Sequence, residues 1–566
     1  MKKILNISLI ALLAMAMVSC EMDYFRSDTM TSAQLEADPG AAVYTTDGNY
    51  SMFKDCLLYN GSTYSGNTYV RHYFQMSEFR GDNMTLSGRT TDPLYEAYTY
   101  TDNSTLRNNN YYWFVAYKII YGANSNIGAI PTGASTESDH MKGENLFMRA
   151  IAHFHLVTLY AKPYSCGRDN MGVVLRTSTD CSVTERATVG EVYDQVVADL
   201  IEAAALMKNG SRRGDAGYIG YEAAMALLSR VYLYMGENDK VLEITNNLLG
   251  SNPAANLDTD LRNIFVNARG SKETLWCVAH TAVETQERSS IGSMYYSPDG
   301  TGGTGWCEIY WSDPLMELFL RHPEDKRFNA YFEQYGATGE ADKRLVHWAV
   351  PSEGNDFYEN EVTNNVTKNA EGKWAFTYQS KQYVVEEEMV DGYPQTFIQY
   401  NGKKTRCYVR PNADMITGVR QSFPLYMMNK FSGQDGDTNL SSPIMVRWAE
   451  VVLNRAEAKA KTGDDAGALA DVNVIRQRAG IPAWDGSYKW NEHGYDSVLE
   501  VVLDERRMEL CFEAHRTQDV YRNQLKMDRQ FAGVHTWEVI DYTDNRIPYQ
   551  IPSDEYLVSG IPQNPL

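Results

Sequence analysis

The most enzyme-like cluster in the chain is VLDERRMELCFEAHRTQDVYR, running from Val502 to Arg522 and carrying Asp504, Glu505, Arg506, Arg507, Glu509, Glu513, His515, Arg516 and Asp519. On a helix Glu505, Glu509 and Glu513 recur every four residues and share a face, and His515 and Asp519 have the same spacing. Glycoside hydrolysis needs two carboxylates at a controlled separation, so a lipid-anchored glycosidase is one reading; it predicts that Glu509→Gln or Glu513→Gln abolishes turnover while the fold stays intact. The stronger reading is structural. Arg and Glu interleaved at helical spacing form ion pairs that brace a scaffold, and Arg447, Glu450, Arg455 and Glu457 read the same way. His153 and His155, two residues apart on an apolar helix, point to different faces and suit a core or capping role better than a metal. The run DGTGGTGW from Asp299 to Trp306 lacks the GK[ST] ending of a phosphate loop and reads as a turn that presents Trp306.

Aromatic loops offer a different chemistry. A sugar ring has flat C–H faces and a rim of hydroxyls, so a receptor needs exposed rings for stacking and nearby amides, acids or guanidinia for hydrogen bonds. Tyr64, Tyr69, Tyr95, Tyr98 and Tyr100 lie among Asn, Thr and Asp in an irregular zone over roughly Tyr59 to Asn110. Tyr295, Tyr296, Tyr310, Trp306 and Trp311 form a second cluster. These ten are the candidate ligand-stacking residues. The competing reading packs Trp311, and Tyr111 to Phe114, into the core.

Bulk properties narrow the function. With 39 Tyr against 18 Phe and 10 Trp, the aromatic content favours the ring that tolerates water. A formal charge of −21 repels a phosphate backbone, which excludes nucleic acid as a partner. At 566 residues the chain is too long for one hydrophobic core, so two lobes or one lobe with a large insert are expected. Acidic residues are too plentiful to single out an oxygen cage for calcium, and no cofactor is read from the sequence.

MKKILNISLIALLAMAMVSC, from Met1 to Cys20, is a secretory leader: two lysines, an apolar run from Leu9 to Val18, then Ser19 before Cys20. The cysteine after a small residue is similar to a bacterial lipobox, which makes Cys20 the lipid attachment point, although Met17 is unusual three residues before it. Glu21 and Asp23 resemble the surface-export signal of Bacteroides-group lipoproteins. No later segment has the roughly 18 consecutive apolar residues of a membrane-spanning helix. The remaining cysteines, Cys56, Cys166, Cys181, Cys277, Cys307, Cys407 and Cys511, form no CxxC pair and read as buried thiols, with a Cys166–Cys181 bridge left open.

The elements that must position these groups are helical hairpins. GENLFMRAIAHFHLVTLYAKPY (Gly143 to Tyr164) is followed by TVGEVYDQVVADLIEAAALM (Thr188 to Met207), a second unit runs from Tyr218 to Leu249 around Gly236, and a third from Pro443 to Pro482 around Gly463. Each is close to the length of a tetratricopeptide repeat. Such units bury their apolar faces only on neighbours, so they must meet around the segment between them. From about Lys272 to Leu440 the character changes, and Lys373 to Pro411 alternates like strands separated by turns.

Together the lipobox, GENLFMRAIAHFHLVTLYAKPY, ALLSRVYLYMGE, RWAEVVLNRAEAKAKTGD, ALADVNVIRQRAG, the DERR segment and the closing IPYQIPSDEYLVSGIPQNP resemble the SusD/RagB family of outer-membrane nutrient-binding lipoproteins. Met508 and Cys511 depart from the residues more usual in the DERR segment, which puts local packing there in question. The resemblance implies a mainly α fold: a tetratricopeptide-like scaffold of about four units with an irregular α+β insert. It implies a leader over 1–19, a lipid-anchored linker over 20–45, scaffold and aromatic loops over 46–271, a ligand-contributing insert over 272–440, and a last repeat unit, DERR helix and tail over 441–566. It also implies a non-catalytic, surface-exposed outer-membrane lipoprotein that captures a glycan and delivers it to a SusC-like TonB-dependent transporter. Its membrane contact is through the N-terminal lipid alone. Peptide, as in the RagB branch, is the alternative cargo.

Overall fold

The computed structural model describes residues 40–565 apart from the short segments 87, 89–91, 299–303, 335–343, 354–356, 412–415, 418–421 and 424–425. The leader, Cys20 and most of the glycine run before Thr304 lie outside the described residues. Among those described, no helix is long and apolar enough to cross a membrane.

The scaffold is a stack of helices in which each packs on the next: α1 (Tyr69–Glu78), α2 (Arg107–Ala129), α3 (Thr136–Tyr160), α4 (Val189–Met207), α5 (Tyr221–Met235), α6 (Asn238–Leu249), α7 (Trp448–Lys461), α8 (Asp465–Ala479) and α9 (Val498–Glu509), with α10 (Arg516–Arg522) returning to α1. Local signals set the boundaries. Thr188 and Glu191 form a reciprocal capping box at the start of α4, and Gly236 ends α5 at φ 78°. Gly143 lets α3 approach α4, since a Cβ there would lie 2.7 Å from Met207 Cγ and 2.9 Å from the Ala203 carbonyl oxygen. The expected meeting of distant units is observed where α6 packs directly on α7, across the whole intervening insert.

Two antiparallel ladders fasten that insert. Thr274–Cys277 pairs with Ile444–Arg447 at its base, and Phe332–Gln334 pairs with Tyr426–Met428 further in. Between them stands a seven-stranded antiparallel sheet: β1 (Arg344–Pro351), β2 (Tyr358–Lys368), β3 (Trp374–Tyr378), β4 (Lys381–Val384), β5 (Glu386–Val390), β6 (Tyr393–Tyr400) and β7 (Lys403–Pro411), in the order β4-β3-β2-β1-β7-β6-β5. Its tight hairpins use Gln379–Ser380, Asp391–Gly392 and Asn401–Gly402, every one at positive φ, as two-residue turns between twisted strands require. Val346, Trp348, Phe376, Ile398 and Cys407 form the sheet's own small core.

The carboxylates of the DERR segment are structural. Glu509 Oε1 lies 2.7 Å from Arg447 and 2.5 Å from Arg478, and its other oxygen lies 3.3 Å from Arg327. Glu505 holds Arg327 at 2.6 Å and Arg476 at 3.2 Å; Glu513 holds Arg447 at 2.8 Å and Lys430 at 2.7 Å. His515 and Asp519 do not form an acid–base pair, because the Asp519 carboxylate is taken by Arg522 at 2.6 Å and Arg506 at 3.3 Å. Other pairs join separate elements, Glu450 with Arg230, Glu457 with Arg522 and Arg455 with Asp471, at 2.5–2.6 Å, while Asp519–Arg522 and Glu457–Lys461 run along one helix. Met508 and Cys511 sit in the main core. His153 and His155 are core residues too. His155 shares a 2.7 Å hydrogen bond with the Tyr69 hydroxyl and stacks on Tyr73, while His153 Nε2 accepts from the Arg176 amide. All seven cysteines from Cys56 to Cys511 are free thiols, Cys166 and Cys181 included.

Burial alone would push the Glu509 carboxyl up, but Arg478, Arg447 and Arg327 outweigh it and hold it well below the ordinary glutamate value of 4.5. A depressed folded value means that the stabilisation is complete above pH 4.5 and is lost as pH falls below it. Glu509→Gln leaves three buried guanidinia undercompensated, so urea denaturation at pH 7 should show a loss of about 3–5 kcal/mol, and the difference from wild type should shrink on acidification. An unchanged midpoint would refute the bracing role.

Candidate functional site

Two of the ten predicted rings come together at the mouth of a polar cleft, one from each aromatic zone. Tyr64 follows a tight turn in which Tyr59 and Ser62 exchange backbone hydrogen bonds of 2.9 and 3.1 Å, and Asn60 and Gly61 occupy left-handed conformations at φ 48° and 80°. That Asn-Gly dipeptide is the strongest short hairpin signal a sequence carries, and it marks the turn directly. Trp306 follows Gly305, where a Cβ would lie 2.3 Å from the Tyr296 carbonyl oxygen, so only glycine permits the approach. Trp306 is 46% exposed and Tyr64 is 52% exposed, while residues 299–303 of the run read as a turn lie outside the described residues.

Both rings are held by cations. The Arg107 guanidinium lies 4.7 Å from the Tyr64 ring centroid, and that of Arg288 lies 4.2 Å from Trp306, whose indole N–H donates to the Arg288 carbonyl at 3.0 Å. One face of each ring is therefore backed. The cleft between them has a volume of about 310 Å³ and is walled by Asn67, Arg71, His72, Asp92, Asn108 and Glu308 as well. Arg71 donates to the Ser289 carbonyl at 3.0 Å, but its Nε, like His72 Nδ1, is buried with no protein partner. Burial, followed by the charges of Arg71 and Arg107, pushes His72 down to about 3, so the imidazole is neutral and shares a 3.1 Å hydrogen bond with Asn67 Oδ1. Arg71, Arg107, Arg288, Asp92 and Glu308 bring charge of both signs to one small hollow, and amides stand beside them. That set can donate to and accept from many hydroxyls.

Six of the ten candidates lie in the interior instead. The zone expected to be irregular contains α1 and a short helix over Leu94–Thr99, which turn Tyr69 and Tyr98 inward. Tyr69 packs on Phe53 and Tyr112, and Tyr98 bonds His535 Nδ1 at 2.7 Å. Tyr100 bonds the Arg80 carbonyl at 2.6 Å, Tyr295 packs on Phe431 and Phe512, and Tyr310 donates to the Cys307 carbonyl at 2.6 Å. Trp311 sits among Phe328, Phe332 and Tyr426, as the core reading of that residue expects. Tyr95 and Tyr296 are half-buried, with hydroxyls on the Val534 carbonyl and on Glu333. Signals for both helix starts were present: Thr68 caps α1 by accepting from the Arg71 amide at 3.2 Å, and Asp92, one residue before the N-cap Pro93, accepts from the Leu94 amide at 2.8 Å. Asn67, Arg71, His72, Arg107 and Arg288 were not predicted, and no spacing in the sequence singles them out.

The contrast in burial is measurable. Trp306→Ala should leave the melting temperature within about 2 °C of wild type, as expected for an exposed side chain. Tyr98→Ala should cost about 3–5 kcal/mol by emptying a core position. Equal losses would overturn the assignment of Trp306 to an open surface.

A family model described as the SusD family matches residues 272–556, and one described as starch-binding associating with outer membrane matches residues 57–233. A SusD-like protein of Formosa agariphila is 23% identical over 550 residues, covering 92% of each chain. A solved SusD superfamily protein from Bacteroides thetaiotaomicron superposes with a TM-score of 0.67 at 23% identity, covering 93% of this chain and 99% of that one. A solved laminarin binding SusD-like protein gives 0.59 at 19% identity, covering 93% and 98%. With a helical scaffold, a strand-rich insert and both halves matched, the chain belongs to the SusD family.

Proposed function

We propose that this protein is a non-catalytic glycan receptor whose cleft between Tyr64 and Trp306 holds an oligosaccharide. The observation that carries the reading is the pair of half-exposed rings, each backed by a guanidinium, facing a hollow rich in hydrogen-bonding groups. A sugar's C–H faces stack on such rings while its hydroxyls meet both donors and acceptors. The laminarin-binding neighbour and the starch-binding description of the family model support a carbohydrate ligand. Against catalysis stands the fate of the acid–base cluster over Val502 to Arg522, whose carboxylates are buried and engaged by cations.

In this reading Cys20 carries the lipid that tethers the protein to the cell surface, and the family's association with the outer membrane supports that placement. A SusC-like TonB-dependent transporter receives the cargo. No chemistry is required of the receptor, only capture and release.

Calorimetric titration of the purified protein against starch, laminarin and acidic polysaccharides should find binding for at least one, with a loss of about threefold to tenfold for Trp306→Ala or Tyr64→Ala, the scale of one aromatic contact. No reducing ends should appear on prolonged incubation. Binding of a peptide digest with no glycan bound, or steady release of product, would refute the proposal.

A further inference from the structure

The turn that presents Tyr64 has a second cleft on its other side. Tyr59, at the opposite end of the turn, lies 4.9 Å from the Phe114 ring, and its hydroxyl is 2.5 Å from Asp554 Oδ2 in the tail helix Ser553–Ser559, which also holds the Asn60 amide at 3.1 Å. Behind it runs one face of α2 carrying Asn110, Phe114, Tyr117 and Tyr121 at the three- and four-residue steps that align side chains on a helix. Trp113 and Arg176 are among the other walls of a hollow of about 390 Å³, within the size range of small-molecule sites, roughly 300–1,000 Å³. Tyr121 is 49% exposed, Phe114 and Tyr117 are half-buried, and the Arg176 guanidinium lies 5.4 Å from the Tyr117 ring.

Charge of both signs lines it as well, from Lys118, Arg176, Asp554 and Glu555. A polyhydroxylated ring offers a flat face to the aromatics and hydroxyls that both donate and accept. From Trp113 to Tyr121 the helix rises about 12 Å, room for more than one ring of a chain.

We infer that this hollow is a second carbohydrate site, which takes a further stretch of the polymer held between Tyr64 and Trp306, the turn over residues 59–64 acting as the divide between the two. The inference rests on the glycan reading of the first cleft. Joining two weak sites on one polymer raises avidity without a new contact at either, so long chains gain more than short ones.

The test uses an array of immobilised starch, laminarin and acidic polysaccharides, probed with four forms of the full chain: wild type, Trp306→Ala/Tyr64→Ala, Tyr121→Ala, and all three changes together. Asn110→Leu, a fifth form, removes a polar side chain of the lining without opening a cavity. Melting temperatures confirm folding. The expected result is a polymer signal reduced about threefold to tenfold by Tyr121→Ala or Asn110→Leu, on the scale of one aromatic contact, with residual signal in the double variant that disappears in the triple. If Trp306→Ala/Tyr64→Ala abolishes all signal and the second-cleft variants match wild type, the second site is overturned and the first stands. If the double variant matches wild type while Tyr121→Ala loses signal, the first-cleft reading fails and the two-site proposal with it, because the hollow then binds polymer that the first cleft does not hold. If wild type retains no polysaccharide, both fail.

Discussion

The structure depends on a buried web of guanidinium and carboxylate groups around Glu509 and Arg447. Arg447 ends a strand at the base of the insert and begins α7; it reaches Glu273 at 2.7 Å, Glu509 at 2.7 Å and Glu513 at 2.8 Å. Glu273 opens the insert, Lys430 stands near its close, and both are drawn into the same web through Arg478 and Glu513. Taking one partner from such a web costs far more than the web adds over an apolar core, because the remaining charges stay in a medium that cannot solvate them. This makes the pairing specific. Distant parts of the chain fit together in one way, and the helical stack can be interrupted after α6 and resumed at α7 without losing its order.

A rigid frame allows the loops to do little except hold rings in the open. Tyr64 and Trp306 arrive from separate segments, each set by a backbone device: an Asn-Gly turn in one case, and a glycine pressed against the Tyr296 carbonyl in the other. The arginines behind the rings limit their motion, so in the proposed receptor a stacking ligand would remove little further freedom. The tail contributes as well, since Asp554 holds the turn through Tyr59 and Asn60. Scaffold, turn and tail therefore share the task of shaping the surface.

The helical hairpins were readable because period 3.6 and the glycine turns at Gly236 and Gly463 are local features, and the strands from Lys373 to Pro411 announced themselves by alternation. The ion pairs were legible in kind but not in partner. Helical spacing suggested pairing along one helix, whereas Glu450, Glu457 and Arg455 reach to other elements, which only tertiary packing decides. Tyrosine was the hardest residue to place. Its ring belongs equally in a core, as Tyr69 and Tyr98 show, and on a surface, as Tyr64 shows, because a buried hydroxyl needs only one partner to be satisfied. Two short helices hidden among Asn, Gly and Thr decided the difference. The meeting of Tyr64 with Trp306 could not be read from the sequence at all, since no local rule links the two segments.

Hydrogen exchange of the full chain with and without saturating polysaccharide tests the central claim most directly. Protection should appear over residues 59–66 and 305–307 while α3 to α9 exchange as before, because a braced frame has nothing to rearrange when rings on its surface are covered. Slowed exchange spread through the helical stack, with those two segments unchanged, would contradict it.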